Sequence, residues 1–581
     1  MNRPRHPHGF KQSEVLGNSL HVRLRLRSAL LGAAFALAFF VLIARAFWVQ
    51  CINDGFYQLQ GDIRQIRDFP VHAARGRILD RNGHILAMSL PTRALWVDAR
   101  DVPHVAQSKL TSVAALLGID RGRVAHVYRE HRAFAYLRRQ VPLATADAAM
   151  RLDIPGLYAE RDYRRFYPEG QIAAHVTGFA GVDGKGQEGV ERVDDRILTG
   201  IDGNRRVLRN ARGQIIDTLD FVGPKPGRDI RLSIDRSIQF AAFQAVRDAV
   251  RRTGAKAGSA VVLDAHTGEI LAMANWPTYD PNQRAARSGR QIRNRAVTDV
   301  FEPGSVLKPL TIALALQRRV VTPDSIVTTD GGRLRLDHAV IHDDANFGVL
   351  TVSQVIQKSS NVGTTKIALL LKPREMWHNF RAVGLGRAPS AGLPGAAAGG
   401  VRPYQHWRRI EQATMSYGYG LSASLLQLAQ VYTVFANDGV FVPATIHARG
   451  AARIEGRRVY SARVAREVLA MLKSVVSKDG TAPQAQVAGY TVAGKTGTAY
   501  RWTANGYDHD QYRASFVGIV PASAPRVIIA VSIDRPSKGS HFGGAVSGPA
   551  FADIAARTMR ILNVSPNELT ANAPSSQAPA T

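Results

Sequence analysis

Cysteine is almost absent from this chain, whose 581 residues include only Cys51. A single cysteine cannot form an intrachain disulfide, so the fold must depend on its apolar core. Nucleic-acid-binding motifs are also missing, and no long block of lysine and arginine occurs beyond the N-terminal segment. These absences exclude a disulfide-stapled scaffold and argue against a nucleic-acid partner.

Positive charge, in contrast, is in large excess. Lys and Arg number 75 against 46 Asp and Glu, for a formal net charge of +29. Because the basic residues are scattered along the chain, they fit a protein that works beside anionic lipid or an anionic wall polymer. The apolar fraction of 45% is that of a folded protein, and the length predicts two folded units with additional segments.

An apolar segment near the N-terminus has the length of a membrane span. Residues 29–49 are apolar or small apart from Arg45, whose charge can extend to the interface. The segment before it, 1–28, contains one acidic residue and six basic ones: Arg3, Arg5, Lys11, Arg23, Arg25 and Arg27. This asymmetry predicts a cytoplasmic N-terminus and a single transmembrane helix, with the rest of the chain on the outer side.

A cleaved signal peptide is the alternative interpretation of this segment. Ala44-Arg45-Ala46 loosely resembles a small-residue cleavage site. The hydrophilic stretch before the apolar core is long for a signal peptide, so we expect an uncleaved anchor.

Beyond the anchor, the chain divides into two predicted domains. Residues 60–222 mix short strands and helices, including a hairpin at Asn82-Gly83, a dipeptide that accepts the positive φ angles of a tight turn. No nucleophile is paired with a base there, so we predict a structural pedestal. Residues 223–227 are typical of a linker, a catalytic domain follows at 228–564, and the Ala- and Pro-rich tail 565–581 is predicted to be disordered.

The second domain has strand candidates at both ends and helices between them. Asp235 can cap a helix, and a hairpin pattern follows it. Further strands and a closing helix are predicted at 490–493, 515–520, 527–533 and 549–562. This arrangement predicts an α+β fold, with one antiparallel sheet covered by helices.

The first candidate catalytic motif joins Ser305 to Lys308, after a Pro303-Gly304 turn and at the start of an apolar helix. Residues three apart share a helix face, so Lys308 can reach the Ser305 hydroxyl. A serine hydroxyl is a weak nucleophile that needs a base, and lysine serves as one only if its pKa is lowered. The apolar neighbours offer the burial that would lower it. Alone, the motif is weak evidence, because a helix that begins with a capping serine and carries a surface lysine has the same pattern.

The second candidate motif is Ser359-Ser360-Asn361. The Ser359 hydroxyl can relay a proton between the lysine and a leaving amine. The Asn361 amide can both donate to and accept from a substrate backbone. Because the same pattern recurs at Ser565-Pro566-Asn567, it indicates a site only in combination with the others.

The third candidate motif, Lys495-Thr496-Gly497-Thr498, follows the predicted strand 490–493. Beside the nucleophile, Lys495 and the hydroxyls of Thr496 and Thr498 could bind a substrate carboxylate. Gly497 would let a substrate backbone approach closely. The backbone N–H groups of Thr498 and Ser305 could together form an oxyanion hole.

Together and in this order, the three motifs resemble the set found in penicillin-binding proteins and serine β-lactamases. From the anchor to Leu562, the chain resembles class B penicillin-binding proteins, and among them the septal D,D-transpeptidases. The stretches that carry this resemblance are 75–83, 186–191, 294–295, 299–305, 357–363, 417–421 and 543–547.

The resemblance implies a serine β-lactamase-like transpeptidase domain behind a dimerisation-type pedestal. It implies that Ser305 attacks a peptidoglycan stem peptide ending in D-Ala-D-Ala, that D-Ala leaves, and that an amine of a neighbouring stem resolves the acyl-enzyme. It further implies acylation by β-lactam antibiotics, an inner-membrane location with a periplasmic catalytic domain at the division septum, and division partners such as the FtsW polymerase. It implies no cofactor and no metal.

Four alternative functions stay open from the sequence. An elongation-type transpeptidase or a D,D-carboxypeptidase would share these motifs. A β-lactamase would need a carboxylate to activate water, and the pattern from Glu375 to Asn379 has no other support for that role. A β-lactam sensor would need a larger cytoplasmic domain than residues 1–28 provide. One departure from the family pattern is Leu425, where proline is frequent, and it leaves the local loop geometry open.

Overall fold

A computed structural model describes residues 14–53, 55, 66–100, 102, 104–210, 215–450, 456–503 and 506–568. The chain forms two compact units. The first consists of Met1–Val71, Arg100–Pro103 and Gly203–Gly223, and the second of His72–Ala99, His104–Asp202 and Pro224–Thr581. The predicted pedestal, 60–222, is thus divided between the two units, and its first six residues lie outside the described part of the chain, as do residues 1–13 of the predicted cytoplasmic tail.

The first unit contains one long apolar helix, Glu14–Phe47, followed by a π-helical turn, Trp48–Ile52. The segment Arg25–Ile52 has a mean hydropathy of 2.3, and none of its apolar window is buried. Its 28 residues have the length and the composition needed to cross a bilayer, whose hydrocarbon core is about 30 Å thick. The predicted anchor, 29–49, lies within this segment.

A three-stranded antiparallel sheet completes the first unit. Its strands are Ile66–Val71, Gly203–Arg209 and Ile215–Val222, with Gly203–Arg209 in the middle.

In the second unit, the predicted hairpin at Asn82-Gly83 is confirmed. It joins the strand Ile78–Leu79 to the strand Ile85–Val97, and Gly83 has a φ of +91°. The Asp80 carboxylate accepts hydrogen bonds from the N–H groups of Asn82 and His84, each at 2.8 Å, and so fixes the turn.

The long strand Ile85–Val97 is the centre of the pedestal part of the second unit. It pairs antiparallel with Ala135–Val141 and with Leu157–Phe166. The helices that accompany these strands are Gln107–Leu117, Arg121–Arg129, Leu143–Met150, Ala174–Thr177, Gly189–Val193 and Asp195–Leu198.

A buried ionic cluster connects two of the pedestal stretches that carry the family resemblance, 75–83 and 186–191, with the strand Leu157–Phe166. Glu191 has no solvent exposure, and its carboxylate accepts from Arg75 Nε at 2.5 Å and from Arg165 Nε at 2.6 Å. The Tyr167 hydroxyl donates to the same carboxylate at 3.3 Å. A buried carboxylate needs such partners, so these stretches specify one structural cluster.

The segment expected to be a linker, 223–227, is packed in place. The Lys225 N–H donates to the Ile201 carbonyl at 2.9 Å, and the Gly227 N–H donates to the Ala74 carbonyl at 2.9 Å. A Cβ at Gly227 would lie 1.8 Å from the Leu198 oxygen. Gly227 therefore allows two backbone segments to pack closely, and it does not make this segment a flexible linker.

The predicted α+β architecture is confirmed in the remainder of the second unit. Five antiparallel strands form the core sheet, in the order Ile270–Trp276, Ala257–Asp264, Val527–Asp534, Gly506–Val520 and Ala493–Thr503. All eight residues of Ala257–Asp264 are buried. Because alternate residues of a strand face opposite sides, both faces of the sheet are covered there.

Helices cover the core sheet as expected. Arg236–Thr253, whose first turn is capped by the Asp235 carboxylate, and Gly543–Ile561 pack on the sheet and on each other. The helices between the early and late strands are Arg295–Thr298, Lys308–Gln317, Val352–Lys358, Asn361–Ala368, Pro373–Ala382, Arg409–Ser416, Leu425–Val431, Thr433–Ala436 and Ala462–Val475. Four short strand pairs, in the same region, are Val300–Phe301 with Ala423–Ser424, Ile326–Thr328 with Val349–Thr351, Arg333–Leu336 with Ala339–His342, and Val440–Phe441 with Arg457–Arg458.

Three element boundaries differ from the sequence prediction. The strand predicted at 515–520 begins nine residues earlier, as Gly506–Val520. The last strand of the sheet is Ala493–Thr503, so it contains the third motif instead of ending before it. The closing helix begins at Gly543 and holds Pro549 inside it. A Cβ at Gly543 would lie 2.4 Å from the Ser515 carbonyl oxygen, so the helix start is fitted directly against the sheet.

The predicted disordered tail begins with an ordered contact. The Asn567 side-chain oxygen accepts from the Thr491 N–H at 3.0 Å, and the Asn567 N–H donates to the Gly489 carbonyl at 2.9 Å. The prediction of disorder is therefore wrong for 565–568, and 569–581 lie outside the described residues.

Candidate active site

Ser305 lies on a short 3-10 turn, Gly304–Leu307, which we call the nucleophile turn. The turn leads directly into the helix Lys308–Gln317, and the Lys308 N–H donates to the Ser305 carbonyl. Ser305 is partly exposed, whereas Val306, Leu307 and Lys308 are fully buried. The first motif thus presents one hydroxyl at the surface above a buried amine.

The stretch 417–420 supports the nucleophile turn from behind. The Gly304 N–H donates to the Gly418 carbonyl at 3.1 Å. A Cβ at Gly418, whose φ is +88°, would lie 2.1 Å from the Gly304 oxygen. The buried Tyr432 hydroxyl donates to the Val306 carbonyl at 2.8 Å. These contacts fix the backbone on which Ser305 is carried.

Lys308 is fully buried, and burial is what allows a lysine amine to act as a base. Its Nζ donates to the Ser359 carbonyl and, at 3.2 Å, to the Ser359 hydroxyl. Burial lowers the pKa of Lys308 to about 7, although Asp343 and Asp344 act in the opposite direction. A substantial fraction of the amine is therefore neutral near pH 7 and able to accept a proton.

The expected hydrogen bond between Lys308 and Ser305 is not present in this state. Within the described chain, the Ser305 hydroxyl makes no hydrogen bond, and Lys308 is turned towards Ser359. One helical turn places both residues on the same side, but a buried ammonium takes the nearest available acceptors. Catalytic hydrogen bonds often tighten only once substrate is bound.

Ser359 connects the first motif to the third. Its hydroxyl lies 3.2 Å from Lys308 Nζ and 2.9 Å from Lys495 Nζ. Ser359 ends the helix Val352–Lys358 with a φ of +60°, an uncommon left-handed conformation for a non-glycine residue. The backbone is thus held in an unusual conformation that places this hydroxyl between two amines.

Asp343, which the sequence reasoning missed, fixes the rest of the second motif. The Ser360 hydroxyl donates to Asp343 Oδ2 at 2.6 Å, and the Val362 N–H donates to Asp343 Oδ1 at 2.9 Å. The partly exposed Asn361 directs one amide N–H to the His342 carbonyl at 2.8 Å. No sequence motif identifies Asp343, because its role depends on contacts across the fold.

Lys495 is as deeply buried as Lys308. Its Nζ donates to the Ser359 hydroxyl at 2.9 Å and to the Thr496 hydroxyl at 3.2 Å. Burial, followed by the nearby charge of Lys308, holds the pKa of Lys495 far below its usual value. The amine therefore lies behind the site surface, and its expected contact with a substrate carboxylate stays a prediction.

The two threonines of the third motif connect its strand to neighbouring segments. The Thr496 hydroxyl lies 3.0 Å from that of Thr481, a second residue missed from the sequence. The partly exposed Thr498 accepts at its hydroxyl from the Gly543 N–H at 3.0 Å. The strand Ala493–Thr503 is an edge of the core sheet. An edge strand is suited to bind an extended peptide.

Gly497 has a packing role that the sequence did not reveal. A Cβ at this position would lie 2.8 Å from the Pro303 carbonyl oxygen and 3.1 Å from Val306 Cγ1. The glycine therefore lets the strand approach the nucleophile turn of this same chain. Its expected role towards a substrate backbone stays a prediction.

Three positions that the sequence left in doubt have structural explanations. Glu375 accepts from the Lys372 N–H and pairs with Arg318 at 3.2 Å, so its carboxylate stabilises a helix start. Asn379 is buried and donates to the Leu310 carbonyl. Leu425 is the first residue of the helix Leu425–Val431, a position that proline also favours, so the departure there leaves the loop intact.

In the described residues, no group of three or more His, Cys, Asp or Glu side chains could hold a metal ion.

The sequence matches two protein families. Residues 70–232 match the penicillin-binding protein dimerisation domain, and residues 258–556 match the penicillin-binding protein transpeptidase domain. Among solved structures, the transpeptidase domain of penicillin-binding protein 3 from Burkholderia pseudomallei is 53% identical, with a TM-score of 0.54, and the match covers 58% of this chain and 98% of that one. Penicillin-binding protein 3 from Mycobacterium tuberculosis, complexed with aztreonam, is 33% identical, with a TM-score of 0.67, over 86% of this chain and 98% of that one.

Two curated relatives match almost the whole chain. The probable peptidoglycan D,D-transpeptidase PenA of Neisseria gonorrhoeae is 40% identical over 541 residues, 92% of each protein. The peptidoglycan D,D-transpeptidase FtsI of Escherichia coli (strain K12) is 37% identical over 550 residues, 94% of this chain and 93% of that protein. Because these matches extend through both domains, the chain belongs to the class B penicillin-binding proteins.

Proposed function

We propose that the chain is a serine-type peptidoglycan D,D-transpeptidase that cross-links stem peptides through an acyl-enzyme on Ser305. The observation that carries the proposal is the Ser359 hydroxyl held between two buried lysine amines, at 3.2 Å and 2.9 Å, beside the nucleophile turn. That arrangement supplies a base, a proton relay and a second amine beside the turn that carries one partly exposed serine.

In the acylation step, the neutral Lys308 amine removes the proton of the Ser305 hydroxyl. Ser305 Oγ attacks the carbonyl of the penultimate D-Ala and forms a tetrahedral intermediate. Collapse of the intermediate breaks the peptide bond, and the leaving D-Ala amine takes a proton that Lys308 passes through Ser359. The serine is then an ester of the stem peptide, and Lys308 is again neutral.

In the second step, an amine of a neighbouring stem attacks the ester. The surplus proton of the attacking amine returns through Ser359 and Lys308 to Ser305 Oγ as the ester bond breaks. The new amide bond is the cross-link. Water in place of the amine would give a D,D-carboxypeptidase, so the acceptor decides between the two reactions.

The edge strand Ala493–Thr503 would bind the stem peptide in extended form, by backbone hydrogen bonds. Asn361 and the hydroxyls of Thr496 and Thr498 would hold its polar groups, with Gly497 keeping the strand close to Ser305. The N–H groups of Ser305 and Thr498 would stabilise the oxyanion of the tetrahedral intermediate.

The biological setting belongs to the same proposal. The apolar helix would anchor the chain in the bacterial inner membrane, with the N-terminus in the cytoplasm and the catalytic domain in the periplasm. The similarity to a relative named FtsI supports a role at the division septum. Partners such as the FtsW polymerase would follow from that role. A fluorescent fusion that localises along the side wall rather than at midcell would instead indicate elongation.

Labelling with a fluorescent penicillin tests the chemistry. We expect one stable label per wild-type chain and none on Ser305→Ala, because the β-lactam and the stem peptide acylate the same serine. With a pentapeptide stem and an amine acceptor, wild type should release D-Ala and form the cross-linked product. Rapid loss of the label would indicate a β-lactamase, and D-Ala release without cross-linking would indicate a carboxypeptidase.

A further inference from the structure

A pocket whose lining includes no residue of the three catalytic motifs is rich in arginine. It lies in the second unit and has a volume of about 450 Å³. Seven of its fourteen lining residues are arginine, and among the described residues that line it none is Asp or Glu. We propose that this pocket, which we call the arginine pocket, binds a diphosphate-type anion.

The arginines come from four separate segments of the chain. Arg123 belongs to the helix Arg121–Arg129. Two more arginines lie on the strand Ala135–Val141, and another two lie on the strand Leu157–Phe166. The remaining two follow the core-sheet strand that ends at Trp276. The six besides Arg123 are Arg138, Arg139, Arg164, Arg165, Arg284 and Arg287. Segments so far apart in sequence bring like charges together here, which is unfavourable unless an anion balances them.

Most of this charge has no carboxylate partner among the residues that the structure describes. Arg139 pairs with Asp162 and Arg165 with Glu191, but neither acid lines the pocket. The guanidinium groups of Arg123 and Arg164 have no hydrogen bond or ion pair to any described residue.

The other three arginines contact only neutral acceptors. Arg138 donates to the Leu117 carbonyl and Arg284 to the Gln140 side chain. Arg287 donates to the Ala180 carbonyl at 3.0 Å. Burial and the nearby charges of Arg284 and Arg164 lower the pKa of Arg287, which is consistent with an excess of positive charge.

Arg165 supplies an independent sign of a missing acceptor. Only 7% of this residue is exposed, and its Nε and Nη1 donate to Glu191, Arg75 and Ser89. Its Nη2 is buried and has no hydrogen-bond partner. A buried cationic donor without an acceptor is unfavourable.

The number of charges favours a multivalent phosphate ligand. Five guanidinium groups without a carboxylate partner exceed what one carboxylate can neutralise, whereas a diphosphate carries several charged oxygens. Planar guanidinium groups bind such oxygens in pairs. The volume accommodates a diphosphate and a short part of its substituent, but not a folded domain.

Calorimetry on the full-length protein in detergent, with inorganic pyrophosphate as the probe, tests this site. We expect one pyrophosphate per chain, and affinity that falls with salt. Arg123→Ala and Arg164→Ala should each weaken binding about tenfold, as loss of a charge-assisted contact predicts. Matched controls are Arg129→Ala on the same helix and Arg161→Ala on the same strand, since neither residue lines the pocket. Penicillin labelling should be unchanged in all four variants, which shows that they are folded.

Geranyl diphosphate distinguishes a lipid-linked ligand from a free one. Binding at least as tight as that of pyrophosphate indicates a diphosphate with a lipid substituent, and exclusion of the prenyl compound indicates free diphosphate. Either result supports the site. The proposal is overturned if the wild-type chain does not bind pyrophosphate. It is also overturned if Arg123→Ala and Arg164→Ala bind pyrophosphate as tightly as the wild type does. Displacement of pyrophosphate by a poly-glutamate peptide of higher affinity also overturns it, in favour of an acidic protein partner.

Discussion

Lys308 lies wholly inside the protein, and the hydrogen bonds of its Nζ to described residues all go to Ser359. Its pKa is lowered to about 7, so the amine gains its catalytic neutral form as pH rises through that value. We predict that the rate of Ser305 acylation rises with pH through the neutral range and then levels off. Stopped-flow labelling with a fluorescent penicillin measures it, and a rate that is flat across this range would contradict the prediction.

The same lowered pKa affects stability. The pKa of Lys308 is about 7 in the folded chain and 10.5 ordinarily, so between these values the unfolded chain binds more protons and wild-type stability rises with pH. Below about pH 7 the full burial penalty applies. Lys308→Met should therefore raise the melting temperature most at neutral pH and less at alkaline pH, while abolishing acylation. A melting temperature below wild type at neutral pH would refute this.

Ser359 should be needed for both proton transfers, because it is the one hydroxyl shared by the two lysines in the described structure. We predict that Ser359→Ala lowers the acylation rate by roughly 10²- to 10⁴-fold, the usual contribution of a positioned proton-transfer group. Ser353→Ala is the matched control, since Ser353 lies on the same helix and its hydroxyl bonds to the Pro323 carbonyl. Equal rates for the two variants would remove Ser359 from the mechanism.

At the scale of elements, the strands and helices that carry the motifs could be predicted, because helix caps, turn glycines and apolar runs are local signals. The hairpin at Asn82-Gly83 and the helix after Asp235 follow from such signals. The start of the last strand at Ala493 could not, since it depends on pairing with Gly506–Val520. Asp343 was missed for a similar reason, because it reaches Ser360 and Val362 from a separate segment of the chain.

Gly497 shows how one element positions another. A Cβ there would meet the Pro303 carbonyl at 2.8 Å, so Gly497→Ala must displace the strand from the nucleophile turn. We predict a destabilisation of about 1–3 kcal/mol, typical of overpacking, together with slower acylation. Gly548→Ala is the control, because its added Cβ would make only ordinary contacts at 3.4 Å or more. Acylation unaffected by Gly497→Ala would show that strand and turn are not so tightly coupled.

The ionic cluster around Glu191 should govern the stability of the pedestal part. Glu191→Ala leaves Arg75 and Arg165 buried without their shared carboxylate. Removing one partner of such a buried group costs about 3–5 kcal/mol, and we expect a loss of that order in the free energy of unfolding. Denaturant titration measures this free energy of unfolding. Glu188→Ala is the control, because the Glu188 side chain is only partly buried. Similar stability in both variants would contradict a structural role for the cluster.

For the whole molecule, the sequence anticipated the apolar anchor and the sheet domain, but not the division into compact units. The segment 203–222 falls in the first unit although it was expected in the pedestal with the rest of 60–222. Its first strand, Gly203–Arg209, pairs with Ile66–Val71, which lies more than 130 residues earlier in the chain. Strand pairing over such a separation leaves no local signal in the sequence.

The basic N-terminal flank makes the membrane orientation testable. Six basic residues against Glu14 precede the apolar segment, so we predict that the N-terminus stays in the cytoplasm and that the chain remains uncleaved. In Escherichia coli, a cytoplasm-dependent fluorescent protein fused before Met1 should fluoresce, and alkaline phosphatase fused after Thr581 should be active. Replacing Arg23, Arg25 and Arg27 with glutamate should reduce phosphatase activity, because the charge asymmetry that sets orientation is lost. An N-terminal tag separated from the chain on a blot would instead indicate a cleaved signal peptide, and the alkaline phosphatase fusion would then remain active without any anchor.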